Sequence, residues 1–298
     1  MTGHAYGGPA AFRRALTDRL KASAVSGRWT LAQLQRQMAY DRLLERLYLI
    51  DEDWIVKGAT ALLARNIGVR ATIDVDIYRA VASEVAEREI RAAAGQDIGD
   101  WFRFEIGAAR LAGGTAGGVR LPVTAFVGTT AWASFHVDLV GADMRMTGEP
   151  EIVPALAPVV MPDLEQHGYR AYPLIDHIAD KVAAMFELHG SSGSPSTRYK
   201  DLVDLVAIVV AAAVPAEEQL AALWSEASRR GLEFPSRFAV PDQRSWERGY
   251  AAEARRSLLP IAQTLGSALD VVTPFLDPLL DGTARGVWVP VEVRWRAR

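Results

Sequence analysis

Cysteine is absent from the 298 residues, and lysine is rare, with four lysines against 29 arginines. Without cysteine the chain has no disulfide bond, no thiolate ligand for zinc and no cysteine nucleophile. It also lacks an apolar run of the roughly 18 residues that a membrane-spanning helix needs. Its first residues do not follow the order of charged, apolar and small residues that marks a secretory signal. We therefore expect a cytoplasmic protein that does not associate with membranes.

The charge is close to balance, but it is spread unevenly along the chain. The 33 basic and 36 acidic residues give a net charge of −3, which is not typical of a strongly basic nucleic-acid binder. Residues 1–50 nevertheless hold eight basic and three acidic residues, whereas residues 151–298 hold 15 and 19. Half of the residues are hydrophobic, which is enough for a sizeable core, and the length suggests two domains of roughly 150 residues.

The order of periodic segments predicts an α+β fold with a mixed α/β sheet. Helical patterns come first, strand patterns follow at 54–56, 73–78, 101–106, 119–127 and 132–140, and the pattern is helical from Pro173 onward. Such an order is typical of a sheet that is covered by helices on one face and followed by further helices. We predict an α/β domain at residues 1–150 and a helical domain at 151–298, with the boundary in the connector near 145–172.

Three aspartates lie in otherwise apolar strand segments. Asp74 and Asp76 alternate with apolar residues, so both carboxylates leave the same face of one predicted strand, about 7 Å apart. Asp138 lies in a later predicted strand, and it joins the other two if the strands pair. Carboxylate oxygens are ligands for hard divalent cations, and three of them suit two-metal phosphoryl transfer. The alternative is an amphipathic strand with an acidic solvent face.

A glycine follows the first predicted strand and precedes a short helix. In the segment Lys57, Gly58, Ala59 and Thr60, the glycine would let the backbone approach a phosphate closely, and the helix would offer N–H donors to an anion. A strand, a glycine and a helix are a common sequence, so this signal gains weight only from the aspartates that follow it.

The order of these motifs resembles the AbiEii/AbiGii toxin family, which includes the MenT-type toxins, within the nucleotidyltransferase superfamily. The resemblance begins with WIVKGATAL at 54–62 and RATIDVD at 70–76. It continues with IADKVAA at 178–184, RYKDLVDL at 198–205 and FLDPLL at 275–280. The superfamily usually has Gly-Gly or Gly-Ser where this chain has Gly58-Ala59, and Thr60 could supply the hydroxyl that Ala59 lacks.

The resemblance implies a role for each matching residue. Asp74, Asp76 and Asp138 would bind Mg²⁺ or Mn²⁺, and Lys181 would neutralise the triphosphate of an NTP. Asp201 would be a catalytic carboxylate, and Asp204, deeper in an apolar run, its structural or nucleotide-binding neighbour; which of the two belongs to the site stays open. The remaining nucleotide-binding predictions are Lys57, Gly58, Ala59, Thr60, Arg65, Thr72, Arg198 and Lys200. In relatives, a Ser or Thr at the position of Thr72 can be phosphorylated by a kinase-like antitoxin.

The function implied by this resemblance is transfer of a nucleotide from an NTP to an RNA acceptor, most simply the tRNA 3′ end, which would block translation. A cognate antitoxin protein would be a partner. Two alternatives stay open at this stage. One is an enzyme of the same fold that modifies a protein or a small molecule, and the other is a non-catalytic module that binds a nucleotide or a partner.

Overall fold

The computed structural model describes residues 5–111, 118–140, 144–162, 164–188 and 193–297. The chain forms two compact units. Unit 1 comprises Met1–Arg65, Ala71–Met144 and Pro150–Ala171, and unit 2 comprises Asn66–Arg70, Arg145–Glu149 and Tyr172–Arg298. No helix in these described ranges is long and apolar enough to cross a membrane.

The helices of unit 1 lie mostly at the beginning of the chain. Thr30 begins the second helix with a capping box, in which its hydroxyl accepts from the Gln33 backbone N–H and the Gln33 side chain accepts from the Thr30 backbone N–H. The helices described in this unit are α1 (Pro9–Ser26), α2 (Leu31–Ile50), α3 (Gly58–Ala64) and α4 (Ser83–Ala94).

A mixed sheet forms the centre of unit 1, in the order β3-β5-β6-β2-β1-β8-β7, with β4 paired to β5. The pairs β2·β6 and β1·β8 are parallel, and the other pairs are antiparallel. Its strands are β1 (Ile55–Val56), β2 (Asp74–Tyr78), β3 (Phe102–Ile106), β4 (Arg110–Leu111), β5 (Val119–Val127), β6 (Thr130–Leu139), β7 (Glu151–Val153) and β8 (Tyr169–Ala171).

Alternation along β2 and β6 separates an apolar face of the sheet from a polar one. Val75 and Ile77 of β2 are buried with Val137 and Leu139 of β6, in a core that also includes residues of α1, α2 and α4. The intervening positions carry the acidic residues of both strands, and these are only partly buried. The apolar periodicity therefore directs the acidic side chains to the face opposite the core.

Unit 2 consists of helices with one small sheet. Its described helices are α5 (Leu174–Phe186), α6 (Tyr199–Ala211), α7 (Ala216–Arg230), α8 (Gln243–Arg256) and α9 (Leu265–Leu280). The sheet has the order β11-β10-β9 and is formed by β9 (Val214–Pro215), β10 (Val287–Val289) and β11 (Arg294–Arg296). Trp288 is fully buried, and its indole N–H donates to the Val209 carbonyl at 2.8 Å.

The predicted fold class is confirmed, since the chain is α+β with a mixed sheet. The division of the chain differs from the predicted one at residue 150, because β7 and β8 extend the sheet and keep 150–171 in unit 1. Two short segments of the predicted α/β domain, Asn66–Arg70 and Arg145–Glu149, also belong to unit 2. Arg70 pairs there with Asp204, and Asp176 accepts the backbone N–H groups of Thr147 and Gly148.

Candidate active site

Strand pairing in unit 1 brings the three predicted carboxylates onto neighbouring strands. β2 and β6 are parallel, with Asp76 opposite Asp138 and Asp74 opposite His136. Because each pair is in register on one face, all four side chains emerge on the polar face of the sheet. The Nδ1 atom of His136 lies 3.2 Å from Oδ1 of Asp74. His136 is therefore a direct neighbour of a predicted metal ligand.

Gly58 determines where the carboxylate of Asp76 can lie. Its φ is +59°, and a Cβ at this position would lie 1.7 Å from Oδ2 of Asp76. The preceding residue is also tied to this strand, because the Lys57 backbone N–H donates to the Asp76 carbonyl at 2.7 Å. Only glycine combines this backbone conformation with the space that the carboxylate occupies.

Two threonines stabilise the backbone of Asp74 rather than its carboxylate. The Thr72 hydroxyl donates to the Asp74 carbonyl at 2.9 Å and accepts the Asp74 N–H at 3.1 Å. The hydroxyl of Thr60, which is fully buried, donates to the same carbonyl at 3.3 Å. The hydroxyl of Thr60 thus positions the backbone of Asp74, and the predicted contact of Thr60 with a nucleotide stays a prediction.

Arg120 of β5 binds the third carboxylate. Its Nε and Nη2 donate to the two oxygens of Asp138 at 2.7 and 2.5 Å. The same Nη2 lies 3.4 Å from Oδ1 of Asp74. The hydrogen bonds and charge of Asp138, together with the charge of Asp74, raise the pKa of Arg120 above its ordinary value, so this cation is permanent.

In unit 2, Lys181 lies in a buried cluster of charged residues. Its ammonium donates to Asp201 at 2.9 Å and to Asp204 at 2.7 Å. Asp204 also accepts two hydrogen bonds from Arg70, each of 2.9 Å. The side chain of Asp204 is 2% exposed and that of Asp201 is 14% exposed. Asp204 thus has both oxygens hydrogen-bonded to cations of its own unit, and its predicted contact with a nucleotide stays a prediction.

Burial and ion pairing act in opposite directions on this cluster. Burial alone would raise the pKa of Asp204, but Lys181 and Arg70 outweigh it and lower that pKa from 3.8 to about 2. Burial would likewise lower the pKa of Lys181, but Asp201 and Asp204 outweigh it and raise that pKa above 10.5. Asp204 and Lys181 are therefore both charged near neutral pH.

The remaining predicted nucleotide contacts fall into two groups. The guanidinium of Arg65 is nearly buried and lies 3.4 Å from Glu151 of β7, so it contributes to an ion pair within unit 1. Arg198 and Lys200 are exposed at the start of α6, and Arg198 lies 3.8 Å from Asp201. Exposed cations can reach a phosphate, whereas Arg65 is already engaged.

Comparison with protein families identifies the chain. A family model described as the nucleotidyl transferase AbiEii toxin of a type IV toxin–antitoxin system matches residues 42–270, which is more than half of the chain. The chain belongs to the AbiEii family. It is thus a member of a family of nucleotidyltransferase toxins, as its motifs predict. No curated protein sequence matches it.

Comparison with solved structures finds chains that are similar to this AbiEii chain. MenT4, a nucleotidyltransferase toxin from Mycobacterium tuberculosis H37Rv, superposes with a TM-score of 0.51 at 14% identity, over 91% of this chain and 99% of MenT4. A putative nucleotidyltransferase from H. pylori gives 0.45 at 15% identity, over 82% and 96% of the two chains. JHP933 from Helicobacter pylori gives 0.39 at 16% identity, over 65% and 76%. At these identities the similarity concerns the fold.

The AbiEii fold implies a divalent metal ion, and two of the three carboxylates fit one. Asp74 and Asp76 would supply oxygen ligands from one face of β2, and Gly58 leaves the space that the Asp76 carboxylate needs. Asp138 does not fit in its present state, because Arg120 takes both of its oxygens. In the part of the chain that the structure describes, no group of three Asp, Glu or His side chains is arranged to hold a metal ion.

Sequence reasoning missed Arg120 as a member of this site. The alternation of β5 places Arg120 on the polar face, but its significance depends on the antiparallel register that sets it opposite Asp138. Strand register between distant segments leaves no local signal in one sequence. The signal that could have found it is a charged residue at an outward position of the strand that precedes the Asp138 strand.

Proposed function

We propose that this AbiEii chain is a Mg²⁺-dependent toxin that transfers a nucleotide from an NTP to the 3′ end of tRNA and thereby blocks translation. The observation that carries the proposal is the pair of carboxylates on β2, with Asp76 in contact with a positive-φ glycine. The family supports nucleotidyl transfer and an antitoxin partner. The tRNA acceptor rests on the resemblance to MenT-type toxins, and it implies action in the cytoplasm.

Asp74 and Asp76 are the residues that would hold the ion, with Mn²⁺ as a possible substitute. A bound Mg²⁺ offsets the negative charge of the triphosphate during transfer. The backbone of Lys57, Gly58 and Ala59 lies beside the Asp76 strand, where it would contact a phosphate. His136 orients the Asp74 carboxylate through its ring nitrogen.

Lys181 is assigned to the triphosphate, with Asp201 as its neighbour in the site. An ammonium has three N–H donors, and Asp201 and Asp204 take two of them. The third N–H of Lys181 would donate to a phosphate oxygen. Asp201 is favoured over Asp204 as the site carboxylate because it is the more exposed of the two. Arg198 and Lys200 are assigned to phosphates of the triphosphate or the acceptor.

The test is a labelling assay with two acceptor arms. Purified protein is incubated with Mg²⁺ and each of the four NTPs, labelled at the α-phosphate, together with either total tRNA or total cell protein. We expect label in tRNA alone. Label in cell protein would contradict the acceptor, and absence of label in both arms would contradict the function.

Asp74→Asn tests the assignment of the carboxylate, with Asp18→Asn on α1 as the matched control. The side chain of Asp18 is 75% exposed, so its loss should leave the rate unchanged. We expect Asp74→Asn to lower the rate by about 10³-fold, equivalent to about 4 kcal/mol of transition-state stabilisation. A variant that labels tRNA at the wild-type rate would overturn the role of Asp74.

A further inference from the structure

The guanidinium of Arg120 lies between two of the three carboxylates on the polar face of the sheet. It binds both oxygens of Asp138 in a bidentate manner, and its Nη2 lies 3.4 Å from Asp74. β6 is paired on one side with β5 and on the other with β2, so Arg120, Asp138 and Asp76 are successive members of one row across three strands. Arg120 is thus held by the same backbone pairing that positions the carboxylates.

This position is the one that a cation shared by the carboxylates would take. An ion that bridges Asp138 and the β2 carboxylates has to approach the oxygens that Arg120 already binds. A guanidinium keeps its charge at any ordinary pH, and its planar fork matches a carboxylate. A divalent ion placed on Asp138 beside it would bring two like charges within about 4 Å, at which distance they repel strongly.

The solvent exposure of Arg120 and its carboxylate partners favours a functional role for this cation over a purely structural one. The side chains of Arg120 and Asp74 are 40% and 30% exposed, and that of Asp138 is 16% exposed. An exposed ion pair contributes little to stability. The arrangement therefore has more effect on the charge that the cluster presents to a ligand than on the stability of the sheet.

We propose that Arg120 is a built-in cation of this site, so that the cluster binds one divalent ion, through Asp74 and Asp76, where a two-metal site would bind two. The inference rests on the proposed function, because the single ion is the one assigned there. Arg120 is a positioning residue for Asp138 and a permanent positive charge beside Asp74. Removal of its charge should open a second ion site on Asp138.

The experiment counts Mn²⁺ ions by the electron paramagnetic resonance signal of the free ion. The full-length protein is saturated with an equimolar mixture of the four α,β-methylene nucleoside triphosphates, which cannot undergo transfer, and bound nucleotide is measured separately. We expect one Mn²⁺ per bound nucleotide in the wild type. A count of two in the wild type would overturn the proposal, whatever the variants do.

Three variants test whether Arg120 determines the number of Mn²⁺ ions that are bound per nucleotide. Arg120→Gln removes the charge and should bind two ions, whereas Arg120→Lys keeps the charge and should bind one. The double variant Arg120→Gln/Asp138→Asn should return to one, because the second ion needs the Asp138 carboxylate. Arg103→Met is the matched control on β3; its side chain is 50% exposed and pairs with Glu105, so it should keep one ion.

Each outcome points to one conclusion. Two ions in Arg120→Gln and one in the double variant would support the role of Arg120, and one ion in Arg120→Gln would overturn it. A wild type that binds nucleotide with two ions contradicts only the role of Arg120 and leaves the transferase proposal intact. A wild type that binds no nucleotide contradicts both.

Discussion

Gly58 shows how a single residue constrains the candidate site. Its positive φ and the contact distance of 1.7 Å between an added Cβ and Asp76 leave no room for a side chain. Ala59 replaces the second small residue that is usual in the superfamily, and its side chain is buried, 6% exposed. The glycine is therefore the indispensable member of this pair for the geometry of the carboxylate.

Gly58→Ala should lower the rate of transfer by about 100-fold while leaving the fold intact. The new methyl group has to displace the Asp76 carboxylate, and a misplacement of about 1 Å in a catalytic site costs on the order of 100-fold in rate. Nucleotide labelling of tRNA measures the loss, and circular dichroism monitors the fold. Gly231→Ala is the control, because Gly231 also has a positive φ, of +62°, but nothing within 4 Å of an added Cβ. Equal losses in the two variants would contradict the steric argument.

Asp204 is expected to matter for stability. Asp204→Ala leaves the ammonium of Lys181 and the guanidinium of Arg70 without their shared carboxylate, and such a change typically costs about 3–5 kcal/mol. Urea unfolding of unit 2 measures the cost. Asp201→Ala is the comparison; because this side chain is more exposed, its unfolding free energy should fall less. A larger loss for Asp201→Ala would reverse the two assignments.

Asp204 also makes the unfolding free energy depend on pH, in a direction that its pKa determines. Because the pKa of Asp204 is lowered from 3.8 to about 2 on folding, its contribution to stability is fully present above about pH 4. The contribution is lost as the pH falls through the folded value. The unfolding free energy should therefore decrease between pH 4 and pH 2 by less in Asp204→Asn than in the wild type. Parallel acid profiles for the two proteins would contradict this origin.

At the scale of the elements, sequence periodicity predicts the long strands well and the short ones poorly. The predicted strands at 119–127 and 132–140 correspond to β5 and β6 within a few residues, because each alternates over nine or ten positions. β7, β8 and β11 have three residues each, too few for a period to be visible. In β11, Trp295 stacks on Phe275 of α9, a contact that no local pattern predicts.

The apolar stripe along helix α2 is imperfect because buried charged residues interrupt it. Arg42 and Arg46 are buried in this helix, and both donate to the buried carboxylate of Asp100, just before β3. On the same helix, Asp41 accepts the backbone N–H groups of Leu156 and Ala157. A polar residue inside a helix stripe is accommodated when its partner is buried with it, and the identity of that partner cannot be read from the helix alone.

Asp100→Ala should destabilise unit 1 by about 3–5 kcal/mol, because it leaves two guanidinium groups buried without a counter-charge. Urea unfolding followed by tryptophan fluorescence measures the change. Asp18→Ala on the surface of α1 should change the unfolding free energy by less than about 0.5 kcal/mol. If Asp100→Ala were as mild as Asp18→Ala, the buried ion pairs would not be holding α2 against β3.

At the scale of the whole molecule, the N-terminal segment keeps the basic excess that its sequence shows. Of the eight basic side chains in residues 1–50, those of Arg42 and Arg46 are buried against Asp100 and present no charge to a solute. The acidic side chains of Asp41 and Glu45 in the same segment are buried as well, so the two losses cancel. Burial and pairing are tertiary properties, so charge counts along the chain cannot reveal them. The net charge of −3 is therefore accompanied by a locally basic N-terminal segment.

The proposed tRNA reaction should depend only moderately on salt, because the acceptor end offers few phosphates. A chain of net charge −3 that contacts the acceptor end through about three or four phosphates should show a slope of about −2 to −4 for log kcat/KM against log salt. Rates of tRNA labelling from about 50 to 300 mM NaCl at fixed Mg²⁺ give this slope. The KM for NTP over the same range is the control, since its own salt dependence has to be subtracted. A slope of about −6 or steeper would mean that a much larger basic surface engages the tRNA body, because each neutralised phosphate adds a little under one unit to the slope.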